Sequence, residues 1–205
     1  MAMTLTTPNT ILGAFQPKGE AAKLAANLAI VVLGTLLLTI AAKISVPVWP
    51  VPVTLQSMAV AGLAAAFGAR IGVATVALYI LEGFSGLPVF ASGGGAAYIL
   101  GPTGGFILGW IPMAWVIGRA ADRGASGSFP RLFGWMVVGD AISFALGFAW
   151  LIALSGSAGW IDQSNVIGDA FAKAVQPFIV WDLLKLAFAA LTVVGGWQLI
   201  KSRKD

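Results

Sequence analysis

Long apolar runs, cut by clusters of proline and glycine, decide what this chain can become. Residues 21–42, 132–154 and 175–200 are each long enough to cross bilayer hydrocarbon, which takes about 20 apolar residues, and none holds more than two charges. In lipid the backbone must satisfy its own hydrogen bonds, so runs of this length are helices. Only 10% of the 205 residues are charged, against about 25% in soluble domains. The expectation is an all-α integral membrane protein with no separate soluble domain.

The breaks set the number of spans. Pro47, Pro50 and Pro52 end the first run, because three prolines in six residues hold the backbone extended. Two short runs follow, 53–68 and 71–82, joined by a tight turn at Gly68-Ala69-Arg70. A glycine-rich stretch, 83–105, separates these from runs at 104–121, 132–154 and 175–200. Six transmembrane helices result. Residues 1–20 read as a cytosolic arm with no cleavable signal, 21–200 as one membrane domain, and 201–205 as a basic cytosolic tail.

Charge placement fixes the orientation. With both termini in the cytosol, Lys18, Lys23, Arg70, Arg119, Arg123, Arg131, Lys201, Arg203 and Lys204 fall inside, and only Lys43 and Lys173 outside. This is the positive-inside bias. The basic balance therefore reports topology, and nucleic acid is not expected as a partner.

Asp182 and Lys185 interrupt the last run. Each costs several kcal/mol at that depth, about 2.5–3.5 on insertion scales, and such residues face the bundle interior. Spacing i, i+3 places them on one helix face, where they can pair. Lys185 lies ten residues into the run, about 15 Å at 1.5 Å per residue, so the pair belongs to the outer half of the membrane. Two readings stand: a salt bridge that holds the bundle, or the polar wall of an outward-facing ligand pocket.

Several reaction classes are excluded. The chain has neither cysteine nor histidine, which removes disulfides, thiolate and His-based metal sites, and His-activated nucleophiles. The loop from Ser92 to Tyr98, SGGGAAY, lacks the GK[ST] ending of a phosphate-binding loop, so no ATPase activity is expected. Its glycines Gly93 and Gly94 would allow a ligand close to the backbone; a plain connector is the equal alternative. Trp49, Trp110, Trp135, Trp160 and Trp197 fit an aromatic belt, although Trp49 and Tyr98 would also suit the wall of a ligand site. Ala21, Ala25 and Ala29 form a small-residue stripe open to a partner helix, and Gly101, Gly105 and Gly109 a similar stripe for internal packing. Asp140 is expected to pair with Arg119 or Arg123, and Glu82 to be solvated at the interface.

The run KISVPVWPVPVTLQ, residues 43–56, together with GLPVFA at 86–91, LGPTGGF at 100–106 and WDLLK at 181–185, resembles the BioY family. These are the biotin-binding S components of energy-coupling factor (ECF) vitamin transporters. The resemblance covers about residues 20–200. It implies an S-component bundle capped by its first and third loops, biotin contacts from Asp182 and Lys185, and a helix-1 alanine motif, here Ala21/Ala25/Ala29, that docks the transmembrane coupling subunit. ABC-type ATPase subunits would supply the energy, the chain itself needing no cofactor, in a bacterial plasma membrane. Some relatives use an Asn in the third loop; this chain has none there, and the contact passes to Ser92 or to the Gly93–Gly94 backbone. Gln56, closing the first motif, joins the candidate ligand contacts. Other readings are an S component for another vitamin, or a stand-alone carrier driven by an ion gradient. An intramembrane enzyme is disfavoured, for want of a nucleophile–base pair or a carboxylate cluster.

Overall fold

A computed structural model describes residues 19–202, apart from 158 and 160, together with Thr10, Ile11, Gly13 and Pro17. Lys18, Trp160, Arg203, Lys204 and most of the N-terminal arm lie outside the described residues.

The first helix, α1, spans Glu20–Lys43. The proline cluster then holds the chain extended, and its two ends meet as a short antiparallel hairpin of β1 (Ser45–Val46) and β2 (Val53–Thr54), with Ser45 opposite Thr54. This pairing is not visible in the sequence, because the prolines that prevent helix also remove strand donors.

Helix α2, Gln56–Phe84, keeps helical backbone angles except at Gly68, whose φ of 84° and ψ of 174° lie outside the helical region. Glycine alone adopts such a φ at no steric cost. Gln56 and Tyr79 would stand about 35 Å apart along a straight helix, yet the Gln56 amide lies 2.6 Å from the Tyr79 hydroxyl. A Cβ placed on Gly72 would come within 2.9 Å of Ala64 Cα. The two arms, residues 56–67 and 69–84, are therefore folded against each other, with the reversal where the sequence placed a turn.

After the glycine-rich loop and the single-turn α3 (Ala96–Ile99), α4 spans Gly104–Asp122 and α5 Phe129–Leu154. Helix α5 begins three residues before the apolar run suggested, since Ser128 is extended and Pro130 is accepted in the first turn. The two helices approach closely through glycine: a Cβ on Gly105 would lie 2.2 Å from Trp150 Cβ, and one on Gly109 2.8 Å from Ser143 Cα. That is the internal role expected for Gly105 and Gly109, whereas Gly101 lies in the loop before α4, against the Tyr98 and Ala97 carbonyls. A short helix, α6 (Val166–Ala174), is capped by the Asn165 side chain on Gly168 N–H, and α7 runs Ile179–Ser202. Residues 166–178 thus hold an extra short helix and a turn, where the sequence suggested that the last span was already under way from 175.

Five of these helices are long and apolar enough to cross a membrane by length and composition. The main core lies where α2, α4, α5 and α7 meet, around Tyr79, Met113, Ile117, Met136 and Leu186. Helix α1 is held to α2 in part by Thr35, which donates to a Glu82 carboxylate oxygen at 3.0 Å. Glu82 is therefore half-buried and bonded, not solvated as expected.

Candidate functional site

Asp182 falls in the first turn of α7, where the helix dipole favours a carboxylate. It is only 4% exposed and forms a salt bridge with Lys185. Ser57, in the first turn of α2, donates to Asp182 Oδ1 at 2.8 Å. Lys185 Nζ donates to the Thr54 carbonyl on β2 at 2.9 Å. The pair is thus anchored from both sides, and α7, α2 and the hairpin are joined through it.

These groups line a cavity of about 50 Å³ whose other walls come from α4 and α5, among them Phe106, Trp110, Asp140 and Ser143, and from Val51 and Pro52 of the first loop and Phe178. Asp140 is 8% exposed and looks onto this cavity, which corrects the expected pairing with Arg119 or Arg123. Those arginines lie at the other end of α4. The cavity holds two carboxyl groups, Asp140 and Asp182, and one ammonium, with Ser57 and Ser143 as hydroxyls, surrounded by aromatic rings. Trp110 is buried in this wall and does not serve the aromatic belt. Ser57, Asp140 and Ser143 were missed as site residues. The available signal was a polar side chain inside an apolar run, with Asp140 and Ser143 sharing a face at i, i+3.

Gln56 does not line the cavity but ties its cap together. Thr54 Oγ1 donates to Gln56 Oε1 at 3.2 Å, Gln56 Nε2 donates to the Tyr79 hydroxyl at 2.6 Å, and that hydroxyl donates to the Val89 carbonyl at 2.8 Å. A continuous relay therefore runs from Lys185 through the first loop to the third. Lys43 adds a second tie, donating to the Phe90 carbonyl at 2.6 Å.

Tyr98 stacks on Phe90 at 4.9 Å, Phe90 meets Tyr79 edge-on at 5.4 Å, and Tyr79 lies 6.4 Å from Trp110 of the cavity wall. Two rings, Phe90 and Tyr79, thus separate Tyr98 from Trp110 of the cavity wall. Ser92 is exposed on the same loop. Gly94 serves the loop's own packing, since a Cβ there would lie 2.0 Å from the Leu87 carbonyl oxygen, whereas Gly93, at φ +130°, has open space beside it. Trp49 stands 69% exposed on the first loop, outside the cavity lining. Ala21, Ala25 and Ala29 lie exposed along one face of α1.

A helical bundle with a loop-capped polar cavity among its apolar helices is a multi-pass membrane protein, and its architecture is that of an S component. The fold is similar to a solved structure described as the S-component for biotin from an ECF-type ABC transporter, with a TM-score of 0.73 and 23% identity over 92% of this chain and 96% of that one. The family model described as the BioY family matches residues 13–202. Among curated proteins, the biotin transporter BioY of Thermotoga maritima is 39% identical over 77% of this chain and 87% of its own length. The probable biotin transporter BioY of Pyrococcus horikoshii is 33% identical over 82% and 93%, and biotin transporter BioY2 of Lactococcus lactis subsp. cremoris 30% over 86% and 91%. The chain belongs to the BioY family.

Proposed function

We propose that this chain is the biotin-binding S component of an ATP-driven ECF uptake system. The observation that carries the reading is the Asp182–Lys185 pair, bonded to Ser57 and to the Thr54 carbonyl inside a capped cavity of a BioY-family chain. Biotin's ureido ring offers N–H donors beside a strong carbonyl acceptor, which matches a carboxylate next to an ammonium. Because Lys185 is already paired with Asp182, the cavity offers no free cation to the ligand's own carboxylate. The ureido ring therefore enters first and the acidic tail points back toward Ser92, Gly93 and Gly94.

The cavity must widen to admit the ligand, since small-molecule pockets occupy about 300–1,000 Å³. A second space of about 400 Å³ lies beside it, lined by Val46, Val53, Pro177 and Trp181, and Thr54 and Lys185 border both. Releasing the Lys185–Thr54 bond and swinging the β1–β2 hairpin joins the two into a space of ligand size. Tyr98 and Trp49 then act as parts of a cap, and Gln56 as its hinge.

In the membrane, the two arms of α2 count as separate spans, giving six helices with both termini cytosolic in a bacterial plasma membrane. The exposed Ala21/Ala25/Ala29 face docks the transmembrane coupling subunit, and ABC-type ATPases provide the energy. Biotin is substrate, and the chain needs no cofactor of its own.

Calorimetric titration of the purified chain tests this with biotin, desthiobiotin, which keeps the urea, and iminobiotin, which replaces the urea oxygen. Tight binding of the first two and rejection of the third is expected, because a site built to pair with a polar group rejects analogues that leave it unpaired. No biotin binding by folded protein would overturn the assignment.

A further inference from the structure

At the end of the bundle remote from the β1–β2 hairpin, α4 and α5 enclose a cavity of about 310 Å³ whose lining includes Arg119, Arg123, Arg131, Trp115 and Trp135, with no acidic residue. We propose that it binds the phosphate of an anionic phospholipid. The layering is the first argument. Arg119 follows Trp115 by four residues on a helix running toward this end, and Arg131 precedes Trp135 by four on a helix running away from it. Both tryptophans therefore lie one turn deeper in the membrane than the arginines, though the two helices run in opposite directions.

Charge is the second argument. All three arginines are exposed, and among the described residues none has a carboxylate within salt-bridge distance. Asp122, which accepts from the Ala69 N–H at 3.3 Å, lies within electrostatic range of Arg119 but does not line the cavity. Positive-inside placement and the C-terminal dipole of α4 account for cations here. They do not account for three guanidiniums from two helices converging on one cavity over a floor of indole rings.

Location selects lipid over a soluble anion. Trp115 is 54% and Trp135 45% exposed on helices that span the membrane, so the cavity opens on the hydrocarbon side. Guanidiniums fork onto phosphate oxygens, tryptophan rings prefer headgroup depth, and basic pockets between transmembrane helices are suited to anionic headgroups. The site lies outside the candidate biotin contacts and does not depend on the ligand assignment.

The test reconstitutes the full chain in nanodiscs of phosphatidylcholine alone or with phosphatidylglycerol, reading Tm and, by native mass spectrometry, retained lipid. Phosphatidylglycerol should raise Tm and be retained by the wild type. R119Q/R123Q/R131Q should lose the Tm increment and retain at least tenfold less, while matching wild type in phosphatidylcholine. K23Q/K201Q, which removes charge outside the cavity, should behave as wild type. If the triple variant does not fold, R131Q alone should show a partial loss of retention. Equal retention by wild type and arginine variants, an equal loss in K23Q/K201Q, or displacement of the lipid by millimolar inorganic phosphate would each overturn the proposal, the last by assigning the cavity to a free anion.

Discussion

Removing Asp182 and Lys185 one at a time and together separates a structural pair from a ligand site. Asp182→Asn leaves the Lys185 ammonium bonded to neutral oxygens, with Asp140 across the cavity as the remaining acid, and Lys185→Met leaves the Asp182 carboxylate held by Ser57 with no cation beside it. Breaking a buried pair from one side costs about 3–5 kcal/mol, because the remaining charge is uncompensated, whereas replacing both partners is often neutral. Each single variant should therefore be less stable than D182N/K185M, an ordering that surface charges would not give. Biotin affinity should behave differently. A hydrogen bond to a charged group contributes about 1.5–3 kcal/mol, which at about 1.4 kcal/mol per decade is a loss of about 10- to 150-fold for each ligand bond removed. The double variant should thus approach wild-type stability yet bind biotin at least tenfold more weakly. Thermal unfolding in detergent, with calorimetry on the same samples, reads both quantities. A stable double variant with wild-type affinity would refute the reasoning and leave the pair a structural salt bridge.

Tyr79→Phe should strand both Gln56 Nε2 and the Val89 carbonyl at about 1–3 kcal/mol for each buried group left unpaired; stopped-flow release of biotin should accelerate, and unchanged release would deny the relay a part in the cap. Gly118→Ala puts a Cβ 2.3 Å from Ala69 Cα, while Gly62→Ala meets nothing within 4 Å. Overpacking against backbone should cost the first about 1–3 kcal/mol, read as a lower Tm that the second lacks. At the loop before α6, the Ser164 hydroxyl bonded to Asp162, and the Lys173 ammonium bonded to Asp169, hold both carboxyls below their ordinary pKa. Their support for this turn is complete above the ordinary carboxylate pKa and is lost as pH falls through the lowered values. Hydrogen exchange should show the start of α6 opening on acidification, and Asp169→Asn should remove much of that dependence.

Local chemistry made much of the fold legible from sequence. Apolar run length marked the spanning segments, the proline cluster ended α1, and Gly68 marked a reversal that needs a φ above zero. The i, i+3 spacing put Asp182 and Lys185 on one face before any neighbour was known. Each of these follows from residues within a turn or two of one another, or from lipid acting on a whole segment.

The partners of that face were a different matter. Ser57 stands 125 residues from Asp182, and Thr54 131 residues from Lys185. Asp140, on a single helix pattern, is as consistent with the arginines of α4 as with the cavity it lines. Which way it turns depends on how closely α4 and α5 pack, and that is set by glycines at Gly105 and Gly109 meeting Trp150 and Ser143. The tie from Gln56 to Tyr79 exists only because the arms of α2 fold together. Sequence thus determined which segments enter the membrane and which faces carry charge, since those depend on local backbone and solvent. The contents of the cavity were decided by interhelical distance and rotation, which no short-range pattern encodes.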